Sequence, residues 1–328
     1  PGTRGNAALR PADLARLVAL AALWGAAFIF IRIAVVPLGA IGTAQARLVL
    51  SGATIALELA LSGRRLDFAR HWRHFASVGA INSALPFVLF AWSAHHLPAS
   101  YLAVLNATAS LFGALVAAAW LGDRITVRAA LGLALGLAGV ATLVGLGPIA
   151  ATPTIVAASL AALGAALCYA IASAYVKRQS YAVDAPVLAG GSTIAAAAVL
   201  LPFVLAAPPT AVPPADAVWA AIVLGVLCTG VAYLLYFRLV ADVGPTRALT
   251  VTFLIPVFGM LWGALFLGEA ITAPMLAGAA LVLVGTGMIL GVGARRAAAP
   301  AAAPRASGTE RGERATAPNR ATPPGRRR

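Results

Sequence analysis

Ten long apolar runs divide most of this chain, and each is about as long as a helix that crosses a lipid bilayer. Crossing ~30 Å of hydrocarbon takes about 20 residues at a rise of ~1.5 Å per residue. The chain is 61% hydrophobic and only 10% charged, which leaves too few charged side chains for a soluble surface. The sequence therefore predicts an all-α polytopic membrane protein with ten transmembrane helices, at residues 14–36, 41–62, 73–93, 98–121, 126–147, 154–177, 185–206, 216–238, 247–267 and 273–293.

Basic residues collect at alternate ends of these runs. If the N-terminus is cytoplasmic, 22 of the 24 Lys and Arg residues fall on the cytoplasmic side, and the other two, Arg32 and Arg47, lie within runs. Short cytoplasmic loops carry such an excess of basic residues, so we expect both termini in the cytoplasm. The first run is too long for a signal-peptide core and is expected to remain as a helix. Short loops and no organelle signal fit a multi-pass protein of the bacterial inner (plasma) membrane.

The formal net charge of +14 could suggest a nucleic-acid partner, but we expect none. The basic residues follow the membrane orientation or lie in the segment 294–328, which is rich in Ala, Pro, Gly and Arg. We predict that this segment is a disordered cytoplasmic tail, with contact to anionic lipid headgroups as a second possibility. Residues 1–13 are expected to form a cytoplasmic arm, and the lipid bilayer is the expected macroscopic partner.

The chain contains an internal repeat. Residues 112–126 and 258–272, which are 146 positions apart, share eight identities in fifteen. Five predicted helices precede the duplication point and five follow it, so the second copy enters the membrane from the opposite side. The sequence thus predicts two inverted five-helix repeats, at 14–147 and 154–293, an arrangement typical of transporters. The identical pairs are Phe112/Phe258, Gly113/Gly259, Leu115/Leu261, Ala118/Ala264, Leu121/Leu267, Gly122/Gly268, Ile125/Ile271 and Thr126/Thr272.

The most similar part of the repeat reads GDRIT at 122–126 and GEAIT at 268–272. A glycine can end a helix, and a threonine can cap the next one, which leaves the acidic residue close to a positive helix N-terminus. We favour this structural role for the string over a contact with substrate.

Several strings resemble the EamA-type transporters of the drug/metabolite transporter superfamily. They are WGAAFIFIRIA at 24–34, the arginine in AQARLVLSGA at 44–53, and FLIPVFGMLWGALFLGEAIT at 253–272. Two departures occur in the first copy, where Ser110 stands opposite Pro256 and Asp123 replaces the usual Glu. The resemblance covers about residues 14–293 and implies a ten-helix bundle of two inverted repeats. It also implies movement of small metabolites, commonly outward and including amino acids.

Aromatic and polar side chains recur at helical spacing inside the runs, and we predict that they bind a small-molecule substrate. Such stripes also occur where helices face lipid or pack closely. A proline inside a helix exposes polar backbone, and a buried Tyr or Trp needs a partner for its polar group. The predicted substrate-binding residues are Trp24, Phe28, Asn82, Pro86, Phe90, Asn106, Tyr169, Tyr233, Tyr236, Thr252 and Trp262.

Acidic residues fall at or near helix ends, and Glu58 lies about one turn from the inner end of its run. No carboxylate occupies the depth at which proton relays usually lie. We therefore predict uniport or substrate exchange, and the lack of an ion at the membrane centre favours neutral, zwitterionic or apolar cargo. A proton-coupled drug or metabolite efflux pump is the alternative.

Two other classes compete with a transporter. A membrane-embedded enzyme would need clustered His, Asp or Glu, yet the histidines form two separated pairs, at 71 and 74 and at 95 and 96. A structural subunit would explain the apolar composition but not the inverted duplication. We expect no enzymatic activity, no catalytic residue, no metal and no cofactor.

Overall fold

The computed structural model describes residues 10–179, 183–207 and 211–291. Within these ranges the chain is helical and contains no strand. A short turn of helix, Pro245–Ala248, precedes the eighth long helix. The long helices are α1 (Pro11–Leu61), α2 (Phe68–Ala94), α3 (Ala99–Leu121), α4 (Val127–Leu146), α5 (Pro153–Gln179), α6 (Ala185–Ala206), α7 (Ala215–Val243), α8 (Val251–Leu267) and α9 (Ala273–Ile289).

Seven of these helices are long and apolar enough to cross a membrane. The other two, α8 and α9, are apolar but have 17 residues each. The 51-residue α1 contains Pro37 and bends at Gly39, whose φ of 68° and ψ of 173° are not helical. Glycine adopts a positive φ without a steric penalty. The bend separates the predicted runs 14–36 and 41–62. The predicted all-helical membrane class is confirmed, while the count of ten helices stays a prediction.

The predicted terminal segments are only partly described. Helix α1 begins at Pro11, inside the predicted arm 1–13. The predicted tail 294–328 lies outside the described residues.

The two copies of the repeated string form similar turns. Gly122 and Gly268 end α3 and α8 in left-handed conformations, with φ of 75° and 64°. Thr126 caps α4, because its side chain accepts a hydrogen bond from the backbone N–H of Ala129 at 3.1 Å. Thr272 occupies the same position before α9 but makes no capping bond. The glycines therefore play the predicted role in both copies, and the threonine does so in one.

Helices α4 and α9 cross antiparallel through glycines. A Cβ atom on Gly132 would lie 2.6 Å from the carbonyl oxygen of Gly285, and one on Gly139 would lie 2.6 Å from that of Gly278. At an offset of 146 positions, Gly132 corresponds to Gly278 and Gly139 to Gly285. The two close contacts are therefore each other's counterparts in the repeat, and either would be lost if a side chain were added.

A dense core lies near the turns that join α2 to α3 and α4 to α5. Leu97, Tyr101, Leu102 and Leu143 are almost completely buried there. Helix α1 packs against α8 at Gly25, where a Cβ atom would lie 2.7 Å from the Cβ of Phe258. Such close approach of two helices is typical of small residues in membrane bundles.

Candidate functional site

A cavity of about 490 Å³ lies among α1, α2, α3, α5, α6, α7 and the start of α8. This volume is within the usual range for a small-molecule site. It brings together nine of the eleven predicted substrate-binding residues, although their role in binding stays a prediction. The nine are Trp24, Phe28, Asn82, Phe90, Asn106, Tyr169, Tyr233, Tyr236 and Thr252.

Aromatic rings form much of the cavity wall. The ring centroid of Trp24 lies 5.4 Å from that of Tyr236 and 6.5 Å from that of Tyr233. The Phe90 ring contacts Phe28 at 5.7 Å and Tyr169 at 6.2 Å. These separations are typical of packed aromatic pairs. Helix α1 thus carries one ring to each of two aromatic clusters, and the wall offers flat apolar surfaces beside phenol hydroxyls.

The remaining two predicted residues, Pro86 and Trp262, lie outside this wall. Pro86 is buried just after a π-helical turn, Ala80–Ala84, and that turn carries Asn82 and Ser83 to the cavity. The proline thus accompanies an irregular turn beside Asn82, as its sequence position suggests, without facing the cavity. The indole N–H of Trp262 donates to the Ala22 carbonyl at 3.0 Å, so its polar group joins α8 to α1.

A buried cation, Arg47, also lines the cavity. It is 9% exposed, and its Nε donates to the Thr229 hydroxyl at 2.9 Å. The guanidinium carbon lies 3.7 Å from the centre of the Phe87 ring, a distance at which a cation is attracted to a ring face. The prediction of neutral, zwitterionic or apolar cargo, which rests on the lack of an ion at the membrane centre, therefore has to take account of a buried cation on the cavity wall.

Arg47 is not among the residues predicted from the sequence to bind substrate. A signal for it existed, because an ionisable residue within an apolar run is costly and usually faces the bundle interior. Arg47 enters the sequence predictions as an exception to the loop-charge pattern and as part of a family-like string, without that cost being weighed.

Thr229 holds Arg47 from a π-helical stretch of α7, Val223–Val231. Its hydroxyl donates to the Leu224 carbonyl at 2.8 Å and accepts from Arg47. In the same stretch, a Cβ atom on Gly225 would lie 2.5 Å from the Cβ of Leu50. This close approach brings α7 against the part of α1 that carries Arg47. π-Helical turns are frequent at functional sites, and here two of them contribute to one cavity.

The two ends of the bundle differ. We call the end where α5 finishes and α6 begins the open end, because the wall residues Ser173 and Ala185 are exposed there. We call the end that holds Arg32, Leu97 and Glu269 the closed end. The cavity reaches the protein surface at the open end, while the dense core lies between it and the closed end.

The Glu269 carboxylate ties the closed end together. It accepts hydrogen bonds from the backbone N–H groups of Ala99, at 2.7 Å, and Ser100, at 2.9 Å, in the first turn of α3. Arg32 Nε lies 3.9 Å from the same carboxylate, and Arg32 also donates to the carbonyls of Ala94 and Leu97. A carboxylate at a helix N-terminus is favourable. Glu269 therefore caps a helix of the other half of the chain, not the helix that follows it.

The repeat counterparts at the open end are looser. Asp123, which corresponds to Glu269, has a side chain that is 58% exposed and lies 3.9 Å from Lys177. A Cβ atom on Gly259 would lie 2.3 Å from the Cβ of Ala103, whereas one on its counterpart Gly113 would meet nothing within 4 Å. Matched positions are thus tightly packed at one end and open at the other.

Comparisons with known proteins give a consistent picture. A model of the EamA-like transporter family matches twice, at residues 14–145 and 156–291. The chain is 27% identical over 273 residues to a protein of Streptantibioticus cattleyicolor named "Probable terminal-alkyne amino-acid exporter". The matched region covers 83% of this chain and 91% of that protein. It is 22% identical to "Uncharacterized transporter YoaV" of Bacillus subtilis, over 82% and 93% of the two chains. One crystal structure shares the fold, with a TM-score of 0.61 at 20% identity, over 85% of this chain and 96% of the other.

Proposed function

Because the chain belongs to the EamA-like transporter family, whose members move solutes and are not enzymes, we propose that it is an alternating-access carrier that exports or exchanges small metabolites such as amino acids. The observation that carries this proposal is the cavity of about 490 Å³, which is open at one end and sealed at the other. A carrier must hold its cargo in a site that communicates with one side at a time.

The repeat supports the alternating part of the proposal. We propose ten membrane helices in two inverted five-helix repeats, 14–147 and 154–293. The double family match and the reciprocal glycine contacts of α4 and α9 support this arrangement. In the opposite state, the contacts of the two ends would be exchanged, so Asp123 would approach the segment at Pro245–Ala248 as Glu269 now approaches α3.

The cavity wall supports small metabolites as cargo. We propose that its nine predicted residues bind substrate, with the rings of Trp24 and Tyr233 on one side and those of Phe28 and Phe90 on the other. Tyr233 also lies beside the Asn82 side chain, which adds a polar contact to the aromatic surface. The name of the Streptantibioticus relative supports amino acids as a class to test first.

The same wall supports transport without a proton relay. Among the described residues that line the cavity there is neither Asp nor Glu, and such carboxylates are the usual proton carriers within membranes. We therefore favour uniport or exchange over proton-coupled efflux. In a bacterial plasma membrane with cytoplasmic termini, the open end would face the cytoplasm, where an exporter loads its cargo.

Counterflow in proteoliposomes tests the proposed function. Vesicles loaded with an unlabelled amino acid should accumulate the labelled one transiently and saturably, because a carrier returns with cargo bound. The double variant Trp24→Ala plus Tyr233→Ala should lose most of this uptake. A flux that never saturates would indicate a pore, and uphill uptake driven by a pH gradient would support proton coupling instead. Stoichiometric co-purification with another protein, without any transport, would indicate a structural subunit.

A further inference from the structure

We propose that the Arg47 guanidinium binds the carboxylate of the cargo, so that the carrier selects small monocarboxylates with an apolar or aromatic remainder and does not require an amino group. This inference rests on the proposed transport function and concerns the same cavity. It makes an amino acid one member of a wider class, defined by the acid group.

The charge of Arg47 is not balanced within the described part of the chain. No described carboxylate forms an ion pair with it, and the described cavity wall contains no acidic side chain. A buried cation is stable when an anion pairs with it, and an unpaired one is costly. Phe87 and Thr229 offer a ring face and a neutral hydroxyl, so the described residues leave the full negative charge to be supplied by a bound molecule.

The hydrogen-bonding groups of Arg47 are also incompletely used. A guanidinium presents five N–H donors, and the Nε donor is bonded to Thr229. The Nη1 and Nη2 groups donate to none of the described residues, while the side chain is more than nine-tenths buried and lies on the cavity wall. A carboxylate accepts two parallel N–H bonds from a guanidinium edge. The Nε donor is bonded to Thr229 and one face of the planar guanidinium lies on Phe87. Arg47 therefore offers its Nη groups to such a ligand.

A single cation limits the charge of the ligand. Arg47 is the sole Lys or Arg on the described cavity wall, so one negative charge is balanced and a second would be buried without a partner. This arrangement favours a monocarboxylate over a phosphate or a dicarboxylate.

The amino group of an amino acid finds no comparable partner. The wall offers it neutral groups, such as Asn82 and Asn106, and aromatic faces, but no described carboxylate. These groups accommodate an ammonium without requiring one. The aromatic pairs Trp24 with Tyr236 and Phe28 with Phe90 contact the apolar remainder in either case.

A ligand series on the intact full-length protein tests this proposal without any mutation. We would measure inhibition of labelled phenylalanine counterflow, and direct binding by tryptophan fluorescence, with phenylalanine, 3-phenylpropanoate and phenylalaninamide. Phenylalanine and 3-phenylpropanoate should compete within a few-fold of each other. The amide, which lacks the negative charge, should be about tenfold weaker or worse, because a hydrogen bond to a charged group is the stronger kind.

Substitutions then locate the effect. Arg47→Gln should bring the acid and the amide to nearly equal binding, and Arg47→Lys should keep part of the preference for the acid. Arg32→Gln is the matched control, since Arg32 also lies in an apolar run but not on the cavity wall, and it should keep the acid-to-amide ratio. If Arg47 variants do not fold, the ligand series still decides.

Two results would overturn the proposal. One is an amide that competes as well as the acid, and the other is 3-phenylpropanoate that does not bind while phenylalanine does. Either result would leave the carrier function standing, because counterflow itself would persist. Absence of saturable counterflow or binding with the whole series would instead remove both proposals.

Discussion

Replacing Glu269 with glutamine should release the closed end of the bundle. The carboxylate accepts two backbone N–H bonds from the first turn of α3, at 2.7 and 2.9 Å, and its side chain is only 10% exposed. A hydrogen bond to a charged group contributes roughly 1.5–3 kcal/mol. Glutamine keeps one acceptor oxygen but turns an N–H donor towards the second backbone N–H. The closed end should therefore lose about 2–3 kcal/mol relative to a state in which Glu269 is free, which corresponds to about 30- to 150-fold in population.

A buried cysteine reports this population. In a background with Cys168 and Cys228 replaced by alanine, Ala94→Cys places one thiol at the closed end, where Ala94 is 2% exposed. We expect slow labelling by a membrane-impermeant maleimide in the parent and much faster labelling after Glu269→Gln.

The repeat supplies the control for this experiment. Asp123→Asn changes the matched acid, which is 58% exposed and 3.9 Å from Lys177, so labelling of Cys at position 94 should not accelerate. A loss of only about 1.4 kcal/mol of closed-end stability should already raise the labelling rate about tenfold. If Glu269→Gln also left the labelling rate within about twofold of the parent, the carboxylate cap would not be what holds this end closed.

Three further outcomes are expected. Gly259→Ala should lower the free energy of unfolding by about 1–3 kcal/mol, because its Cβ would lie 2.3 Å from that of Ala103. The matched change Gly113→Ala should leave the free energy of unfolding almost unchanged or raise it slightly. Equal shifts in the melting temperatures of the two variants in detergent would contradict this. Thr229→Val should weaken the preference for acid over amide by severalfold, since Arg47 loses its 2.9 Å partner, and an unchanged ratio in competition assays would argue against that contact. An imposed pH gradient should not drive uphill uptake, because the described cavity wall has no Asp or Glu; sustained accumulation that a protonophore abolishes would refute this.

Hydropathy alone places most helices within a few residues. The predicted run 185–206 coincides with α6, and the run 154–177 differs from α5 by one residue at its start and two at its end. Such agreement is expected, because hydrocarbon demands both an apolar surface and a fully bonded backbone. The start of α8 is less well predicted, since Pro245–Ala248 forms a separate short turn. Composition does not distinguish that turn from the helix after it.

The cavity is less predictable because it depends on which helix faces which. Helical spacing places Trp24 and Phe28 on one stripe of α1 but does not reveal that this stripe meets α7 and α2. The same reasoning assigns Trp262 to the cavity, although its indole N–H bonds to the backbone of α1. Arg47 shows the limit most clearly, because its hydrogen-bond partner is 182 positions away in the chain. The local sequence pattern around Arg47 cannot predict a contact with a residue that far along the chain.

The crossing of α4 and α9 through four glycines has a consequence for how such a protein can diversify. Neither helix contributes a described residue to the cavity wall, so the crossing tolerates almost no change while the proposed cargo site lies on other helices. Under the proposed function, substitutions that change selectivity can then accumulate along α1, α2, α5 and α7 without disturbing this crossing. One mechanical frame can in this way serve many different cargoes.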